Sequence, residues 1–248
     1  MTPAQLVVPA AAAFAAGAMN SVAGGGSFLS FPALVFAGVP AIPANATNNA
    51  AMWVGTLGSA RGYKEEVVAY RRLLLPIVAV SVVGSLIGAC ALLLTPASLF
   101  EHLIPWLLLF ATCVFAVSPR LARRDAAGPR HAPWQLGVQF FVAMYGGYFG
   151  AGMGILMLAV LAFSGLPTFN AQNGVKNVLS ATINGVALVP FLAARIVDWR
   201  FAVPMAAIAL FGGYFGARFF RRIPQRVSRV IVIVIGLVMT AAFFLRTA

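Results

Sequence analysis

Acidic side chains are the scarcest charged groups in this sequence, which has 5 Asp and Glu against 17 Lys and Arg in 248 residues. All of them lie between long apolar runs or at the ends of such runs: Glu65, Glu66, Glu101, Asp125 and Asp198. Proton relays and sodium sites inside membranes are usually built on buried carboxylates. The sequence therefore offers no carboxylate for a relay or a cage of that kind.

The residues of most catalytic and metal sites are also few. Cys90 and Cys113 lie within apolar runs and have no metal-ligating neighbours, which is typical of small packing residues. His102 and His131 are far apart in the chain, and no G-x-x-x-x-G-K-[ST] phosphate loop occurs. We therefore expect no metal site, no cofactor, no ATP hydrolysis and no enzymatic activity.

Charged residues make up only 9% of the chain and hydrophobic residues 61%, too apolar for the surface of a soluble domain. We predict an all-α polytopic protein whose main partner is the lipid bilayer. The net charge of +12 would suit nucleic acid, but the basic residues concentrate in short loops at 61–72, 120–130 and 218–229. Such loops face the cytoplasm in membrane proteins, so nucleic-acid binding is not expected.

Four of the ten apolar runs are too short to cross a bilayer, which takes about 20 residues in a helix. They come as two pairs, and each pair is joined by a glycine-rich segment, at 24–27 and at 146–154. We interpret each pair as a re-entrant hairpin that enters and leaves the membrane on one side. Only an even number of crossings between the second and third basic loops keeps both in the cytoplasm.

The sequence repeats internally at a nearly constant spacing. The most specific matches lie 128 positions apart and pair Gly84, Gly88, Ala89 and Pro96 with Gly212, Gly216, Ala217 and Pro224. We predict a first repeat at 1–118, a basic cytoplasmic linker at 119–133 and a second repeat at 134–248. With one hairpin and three transmembrane helices in each, the repeats would be inverted. Eight transmembrane helices, of which the first and fifth are broken, are the alternative.

The glycine-rich tips are the first candidate binding site. Each opens a short helix, whose N-terminal N–H groups attract anions. The candidate substrate-binding residues at the two tips are Gly24, Gly25, Gly26, Ser27, Gly150, Gly152 and Gly154. The other interpretation is close helix packing through small residues, which also explains Gly84-x-x-x-Gly88 and Gly212-x-x-x-Gly216. These two motifs are expected to seat their helices against the hairpins or against a second subunit.

Polar residues cluster near the start of one long apolar run in each half. The candidates here are Thr47 and Asn48 in the first half and Asn173, Lys176 and Asn177 in the second. Buried polar groups in membranes usually face a cavity or the protein interior. Lys176 is either a lysine that snorkels to the surface or a buried cation that attracts an anionic substrate.

These motifs resemble those of the TauE/SafE family of sulfite-exporter-like permeases. The resemblance rests on residues 20–27 (NSVAGGGS), 38–40 and 44–49 (ANATNN) with their counterparts between 146 and 177, and it covers essentially the whole chain. It adds Asn20 to the candidate substrate-binding residues. It implies a bacterial inner-membrane protein that exports sulfite, sulfoacetate or related sulfur-containing anions.

We therefore expect an exporter of a small sulfur-containing anion, such as sulfite or an organosulfonate. Its substrate would be held by the tips, by Lys176 and by the nearby Asn and Thr side chains. A permease for another small organic anion and a non-transporting membrane scaffold remain alternatives. Whether the protein forms a homodimer is left open by the sequence.

Overall fold

The computed structural model describes residues 3–22, 24–121, 133–219 and 225–247. Within these ranges the chain is helical, with no strand. Its helices are α1 (Pro3–Val22), α2 (Ser27–Phe36), α3 (Ala41–Gly62), α4 (Lys64–Ala69), α5 (Arg71–Leu94), α6 (Ala97–Leu121), α7 (Pro133–Tyr148), α8 (Met153–Leu161), α9 (Phe169–Ala193), α10 (Trp199–Phe219) and α11 (Gln225–Thr247). Most of the predicted linker at 119–133 lies outside the described residues.

In the described part of the chain, five helices are long and apolar enough to cross a membrane: Leu74–Leu94 in α5, Ala97–Val117 in α6, α9, α10 and Arg229–Arg246 in α11. Helix α3 has 22 residues but is less apolar, because Asn45, Thr47, Asn48 and Asn49 lie in its first half. These four side chains are buried, so protein rather than lipid surrounds them. The prediction of an all-α polytopic membrane protein is confirmed.

Two of the apolar helices are far too short to cross. Helix α2 has 10 residues and α8 has 9, which correspond to about 15 Å and 14 Å at the rise of an α-helix. A hydrocarbon core is about 30 Å thick. Each short helix follows a longer one, α1 or α7, across a glycine-rich tip.

Each helix that leads to a tip packs along a long helix of the other half. Helix α1 packs along α10, and its counterpart α7 packs along α5. Glycines allow both approaches: an added Cβ at Gly84 would lie 2.5 Å from the Phe140 carbonyl oxygen, and one at Gly212 would overlap the Phe14 carbonyl oxygen. The Gly-x-x-x-Gly motifs therefore seat α5 and α10 against the helices that lead to the tips, as one of the two interpretations predicts. Their use against a second subunit stays a prediction.

Corresponding helices of the two halves run in opposite directions. Helix α3 crosses α9 antiparallel, because Asn49 contacts Asn184 near one end while Tyr63 approaches Gly174 near the other. Helices α6 and α11 are antiparallel as well. Their contacts pair Phe115 with Arg229, at 4.8 Å from ring centroid to guanidinium carbon, and Trp106 with Phe244, at 5.1 Å between ring centroids.

Buried aromatic rings fix the position of α2. The Phe31 ring meets the Phe149 ring edge-on at 5.3 Å between centroids and stacks on Phe243 at 5.9 Å. Phe31 and Phe149 have almost no exposed surface. Such ring pairs add a directional preference to the area they bury. They join α2 of the first half to the tip that follows α7 and to α11.

Candidate functional site

The first tip reverses the chain between α1 and α2. Gly24 and Gly25 have φ angles of 75° and 78°, in the left-handed region that side chains disfavour. The Gly24 N–H donates to the Met19 carbonyl oxygen at 3.1 Å, which closes the end of α1. The Asn20 side-chain oxygen accepts from the Gly26 N–H at 2.8 Å, just before α2 begins. Asn20 thus links the end of one helix to the start of the next.

The second tip repeats this geometry between α7 and α8. Gly150 has a φ angle of 75°, and its N–H donates to the Tyr145 carbonyl oxygen at 3.4 Å, five residues back as in the first tip. Gly152 follows at a φ of 82° and precedes α8. The Tyr145 hydroxyl donates to the Ala151 carbonyl oxygen at 2.8 Å and so braces the tip from within.

The two tips touch each other. An added Cβ at Gly24 would lie 2.7 Å from the Gly154 carbonyl carbon and 2.8 Å from the Ile155 nitrogen. One at Gly152 would lie 2.9 Å from the ring of Phe28 in α2 and 2.7 Å from the Cβ of Ala111. The starts of α2 and α8 therefore meet within the protein, and only glycine permits so close an approach at Gly24.

Lys176 lies beside this contact and is buried, with 1% of its surface exposed. Its ammonium group donates to the carbonyl oxygen of Asn20, in the last turn of α1. The neighbouring Asn177 amide donates to the Ser21 carbonyl oxygen at 3.3 Å. Carbonyls of a last turn have no partner inside their helix and carry partial negative charge. The structure thus buries the Lys176 side chain within the protein, and it does not snorkel to the surface.

The other broken helix is capped in the same manner from the opposite half. Asn45 in α3 donates its side-chain N–H to the Tyr148 carbonyl oxygen, at the end of α7, at 3.1 Å. A side chain of α3 thereby donates a hydrogen bond to a carbonyl at the end of α7, and side chains of α9 donate to carbonyls at the end of α1. Each half supplies the polar groups that the other half's broken helix requires.

A small cavity lies between the tips. Eight of the predicted site residues line it: Asn20, Gly24, Gly25, Ser27, Gly150, Gly152, Gly154 and Lys176. Its volume is about 10 Å³, room for about one water molecule. A lysine, two helix starts and a set of hydroxyl and amide groups converge on this space.

Comparison with known proteins identifies the family of this chain. The profile described as "Sulfite exporter TauE/SafE" matches residues 9–243, nearly the whole chain. The chain belongs to the TauE/SafE family. No solved structure matches it.

Curated relatives agree with this assignment. The Escherichia coli strain K12 protein named "Probable membrane transporter protein YfcA" is 29% identical over 92% of this chain and 86% of its own length. A Haemophilus influenzae protein named "Probable membrane transporter protein" is 26% identical over 92% of this chain and 90% of its own. This TauE/SafE member is therefore a membrane permease, a multi-pass protein of the bacterial inner membrane.

The remaining predicted site residues of this TauE/SafE protein lie outside the cavity lining. The Thr47 hydroxyl accepts from the Asp198 N–H at 2.9 Å, and the Asn48 oxygen accepts from the Ser30 hydroxyl at 2.6 Å. Asn173 donates to the Phe169 carbonyl oxygen within α9 at 3.2 Å. Asn177 caps α1, as described, and a Cβ at Gly26 would overlap the Ala16 backbone of α1. Asn48, Asn177 and Gly26 thus join helices next to the first tip, whereas Asn173 bonds within its own helix and Thr47 contacts the segment before α10.

Three polar residues in the cavity wall were not predicted: Thr56, Ser180 and Asn184. Ser180 and Asn184 follow Lys176 at intervals of four residues, so the three side chains share one face of α9. That spacing is the sequence signal that identifies them once Lys176 is placed at a site. Met153 completes the lining.

Charged groups lie at the two ends of the helices. A hollow of about 650 Å³ brings Arg61 and Lys64 together with Arg218, so two of the predicted cytoplasmic loops adjoin each other. At the opposite end, the Arg200 guanidinium forms an ion pair with Asp198 at 2.7 Å. That hydrogen-bonded pair holds the pKa of the Asp198 carboxyl below its ordinary value.

Proposed function

We propose that this permease exports a small sulfur-containing oxyanion, sulfite or an organosulfonate such as sulfoacetate, through the cavity between the two tips. The observation that carries the proposal is the buried ammonium of Lys176 at the meeting point of two glycine-broken helices. The description of the family as a sulfite exporter supports the same substrate class.

The chemistry of the cavity fits an oxyanion better than a cation. Helices α2 and α8 both begin at the cavity, and a helix N-terminus carries about half a positive charge. A protonated Lys176 adds a full positive charge, and no carboxylate lies among the lining residues. A sulfite or sulfonate group presents three oxygens that accept hydrogen bonds, which backbone N–H groups and hydroxyls can donate from several directions.

We propose further that the permease consists of two inverted repeats, each with a re-entrant hairpin and three transmembrane helices. The hairpins would be α1–α2 and α7–α8. The opposite directions of corresponding helices and the exchanged capping by Asn45 and Lys176 support this arrangement. The length of α2 and α8 supports re-entry, since neither reaches across a bilayer.

The closed cavity indicates how transport would proceed. A space of about 10 Å³ has no room for an oxyanion, so the tips must separate when the substrate enters. The substrate would then replace the Asn20 carbonyl as the partner of the Lys176 ammonium. Rocking of one repeat against the other would expose the cavity to the two sides in turn.

A ligand-stabilisation screen on the purified protein tests this proposal. The melting temperature is measured with sulfite, sulfoacetate, taurine, sulfate and carboxylate analogues. A ligand at a hundred times its dissociation constant stabilises the folded state by about 2.7 kcal/mol, so a true substrate gives a saturable rise. We expect that rise with sulfite or sulfoacetate. A rise with carboxylates alone would make the protein a permease for another organic anion, and no rise with any anion would favour the scaffold.

A further inference from the structure

One face of α9 carries a row of buried polar residues that extends beyond Lys176. Lys176, Ser180 and Asn184 all line the cavity, with 1%, 4% and 3% of their surfaces exposed. A helix rises 1.5 Å per residue, so Asn184 lies about 12 Å further along α9 than Lys176. The Lys176 ammonium donates to the Asn20 carbonyl, whereas Asn184 contacts Asn49 in α3, so the two side chains have different partners. When the tips separate and the cavity widens, Lys176 and Asn184 can each contact an oxyanion at a position of its own.

The orientation of the Asn184 amide is fixed from the other half of the protein. Asn49 in α3 donates its side-chain N–H to the Asn184 side-chain oxygen at 3.2 Å, and both residues are buried. Asn49 takes one of the two hydrogen bonds that this oxygen can accept, and the NH₂ group is the part of Asn184 that can donate to a ligand. That group offers two hydrogen-bond donors and suits an oxyanion.

Stability alone does not explain this pair. The side-chain oxygen of Asn49 is buried without a partner among the described residues. A buried acceptor that is left unpaired destabilises the folded protein. Two leucines of similar volume would fill the same space without that penalty, so the pair is better explained by the donor that it presents.

We propose that Asn184 is a second binding position for the transported oxyanion, separate from Lys176, and that Asn49 orients its NH₂ group toward the cavity. The inference rests on the proposed function and deepens it. In the predicted topology α9 runs from the cytoplasm outward, so Asn184 lies on the exit side of Lys176. A neutral donor there binds the anion more weakly than a cation does.

A weaker second position has a clear use in an exporter. Conduction requires binding strong enough for the ion to enter and weak enough for it to leave. An anion held only by Lys176 would dissociate slowly. Asn184 would lower the barrier for release, so removing it should slow turnover more than it weakens binding.

The test measures sulfite or sulfoacetate transport in proteoliposomes for the wild type, Asn184→Leu, Asn49→Leu and the double variant. Asn170→Leu is the matched control, because it makes the same change on the same helix at a residue outside the cavity lining. For Asn184→Leu we expect the maximal rate to fall about tenfold, the equivalent of one hydrogen bond to a charged group. The half-saturating concentration should stay within about threefold of the wild type, since Lys176 remains.

The double variant shows whether Asn49 acts by orienting the Asn184 amide or only by packing beside it. If Asn49 acts through Asn184, Asn49→Leu lowers the rate by itself but adds nothing to Asn184→Leu. Should Asn184→Leu fail to fold, Asn184→Ser keeps a hydroxyl donor at the position and is expected to retain part of the rate.

Three results would overturn the inference. The rate of Asn184→Leu could match that of Asn170→Leu, its half-saturating concentration could rise as far as that of Lys176→Met, or the two leucine variants could reduce the rate independently. Each leaves the proposed function standing if the wild type transports the anion. If the wild type transports none of the sulfur anions, the proposed function fails and this inference fails with it.

Discussion

The side-chain ammonium of Lys176 donates to the backbone carbonyl of Asn20, 156 residues away in the chain. This contact joins α9 of the second half to the end of α1 in the first. It also places the ammonium at the cavity between the tips, which both residues line. A single lysine thus closes one broken helix and supplies positive charge to the candidate site, so an anion that enters must compete with the carbonyl.

Removal of the Lys176 charge should abolish anion binding. For Lys176→Met we expect no saturable rise of melting temperature with sulfite or sulfoacetate, because the apolar side chain cannot offset the anion's charge. Lys176→Arg should retain part of the rise. The control is Lys64→Met, which changes the only other lysine of the chain at an exposed position in α4. Equal responses from Lys176→Met and the wild type would move the site elsewhere.

Close contact between the tips should make Gly24 intolerant of any side chain. Gly24→Ala would force a Cβ to within 2.7 Å of the Gly154 backbone, so we expect the transport rate to fall at least about tenfold. Gly38→Ala is the control, since Gly38 has a comparable φ of 94° but no atom within 4 Å of the added Cβ. Both variants bear a similar backbone strain. If they lose activity equally, the contact of the tips has no part in transport.

The predicted orientation can be tested with single cysteines in a background in which Cys90 and Cys113 are replaced. We expect Lys64→Cys and Arg218→Cys to react only with a reagent supplied from the cytoplasm. Glu101→Cys and Arg200→Cys should react from the outside, because both residues lie at the ends of α6 and α10 opposite to the basic loops, which are predicted to face the cytoplasm. External labelling at Arg218→Cys would contradict the even number of crossings on which the re-entrant hairpins depend.

The two tips and the cytoplasmic face could be predicted from the sequence, because they follow from glycine residues in the backbone and from the placement of basic residues beside the lipid bilayer. Glycine runs at 24–27 and 146–154 mark the tips, and basic loops mark one face. The sequence leaves open whether Lys176 is buried or snorkels to the surface, and the structure shows it buried. Which face of α3 or α9 meets the cavity does not follow, since both helices are surrounded by protein on most sides. Thr47 and Asn48 were therefore predicted as substrate ligands, whereas Ser180 and Asn184 were missed.

Electrical potential alone should drive transport. Glu101 lies near the start of the α6 span and Asp198 just before α10, and no carboxylate lines the cavity, so no described acidic residue is placed to carry a proton with the anion. A cell interior that is negative by 100 mV favours export of a monovalent anion by about 2.3 kcal/mol, or about fiftyfold in concentration. We expect anion flux in proteoliposomes under a potassium-diffusion potential without a pH gradient. Flux under a pH gradient but not under a potential would require a titrating group, such as His102 or Glu101.

The most direct measurement is sulfite and sulfoacetate flux in proteoliposomes that contain equal amounts of the wild type or Lys176→Met, with protein-free liposomes as the baseline. We predict saturable flux with the wild type and baseline flux with Lys176→Met. Flux through Lys176→Met at the wild-type rate, or wild-type flux no greater than in protein-free liposomes, would contradict export of a sulfur oxyanion through the lysine site between the tips.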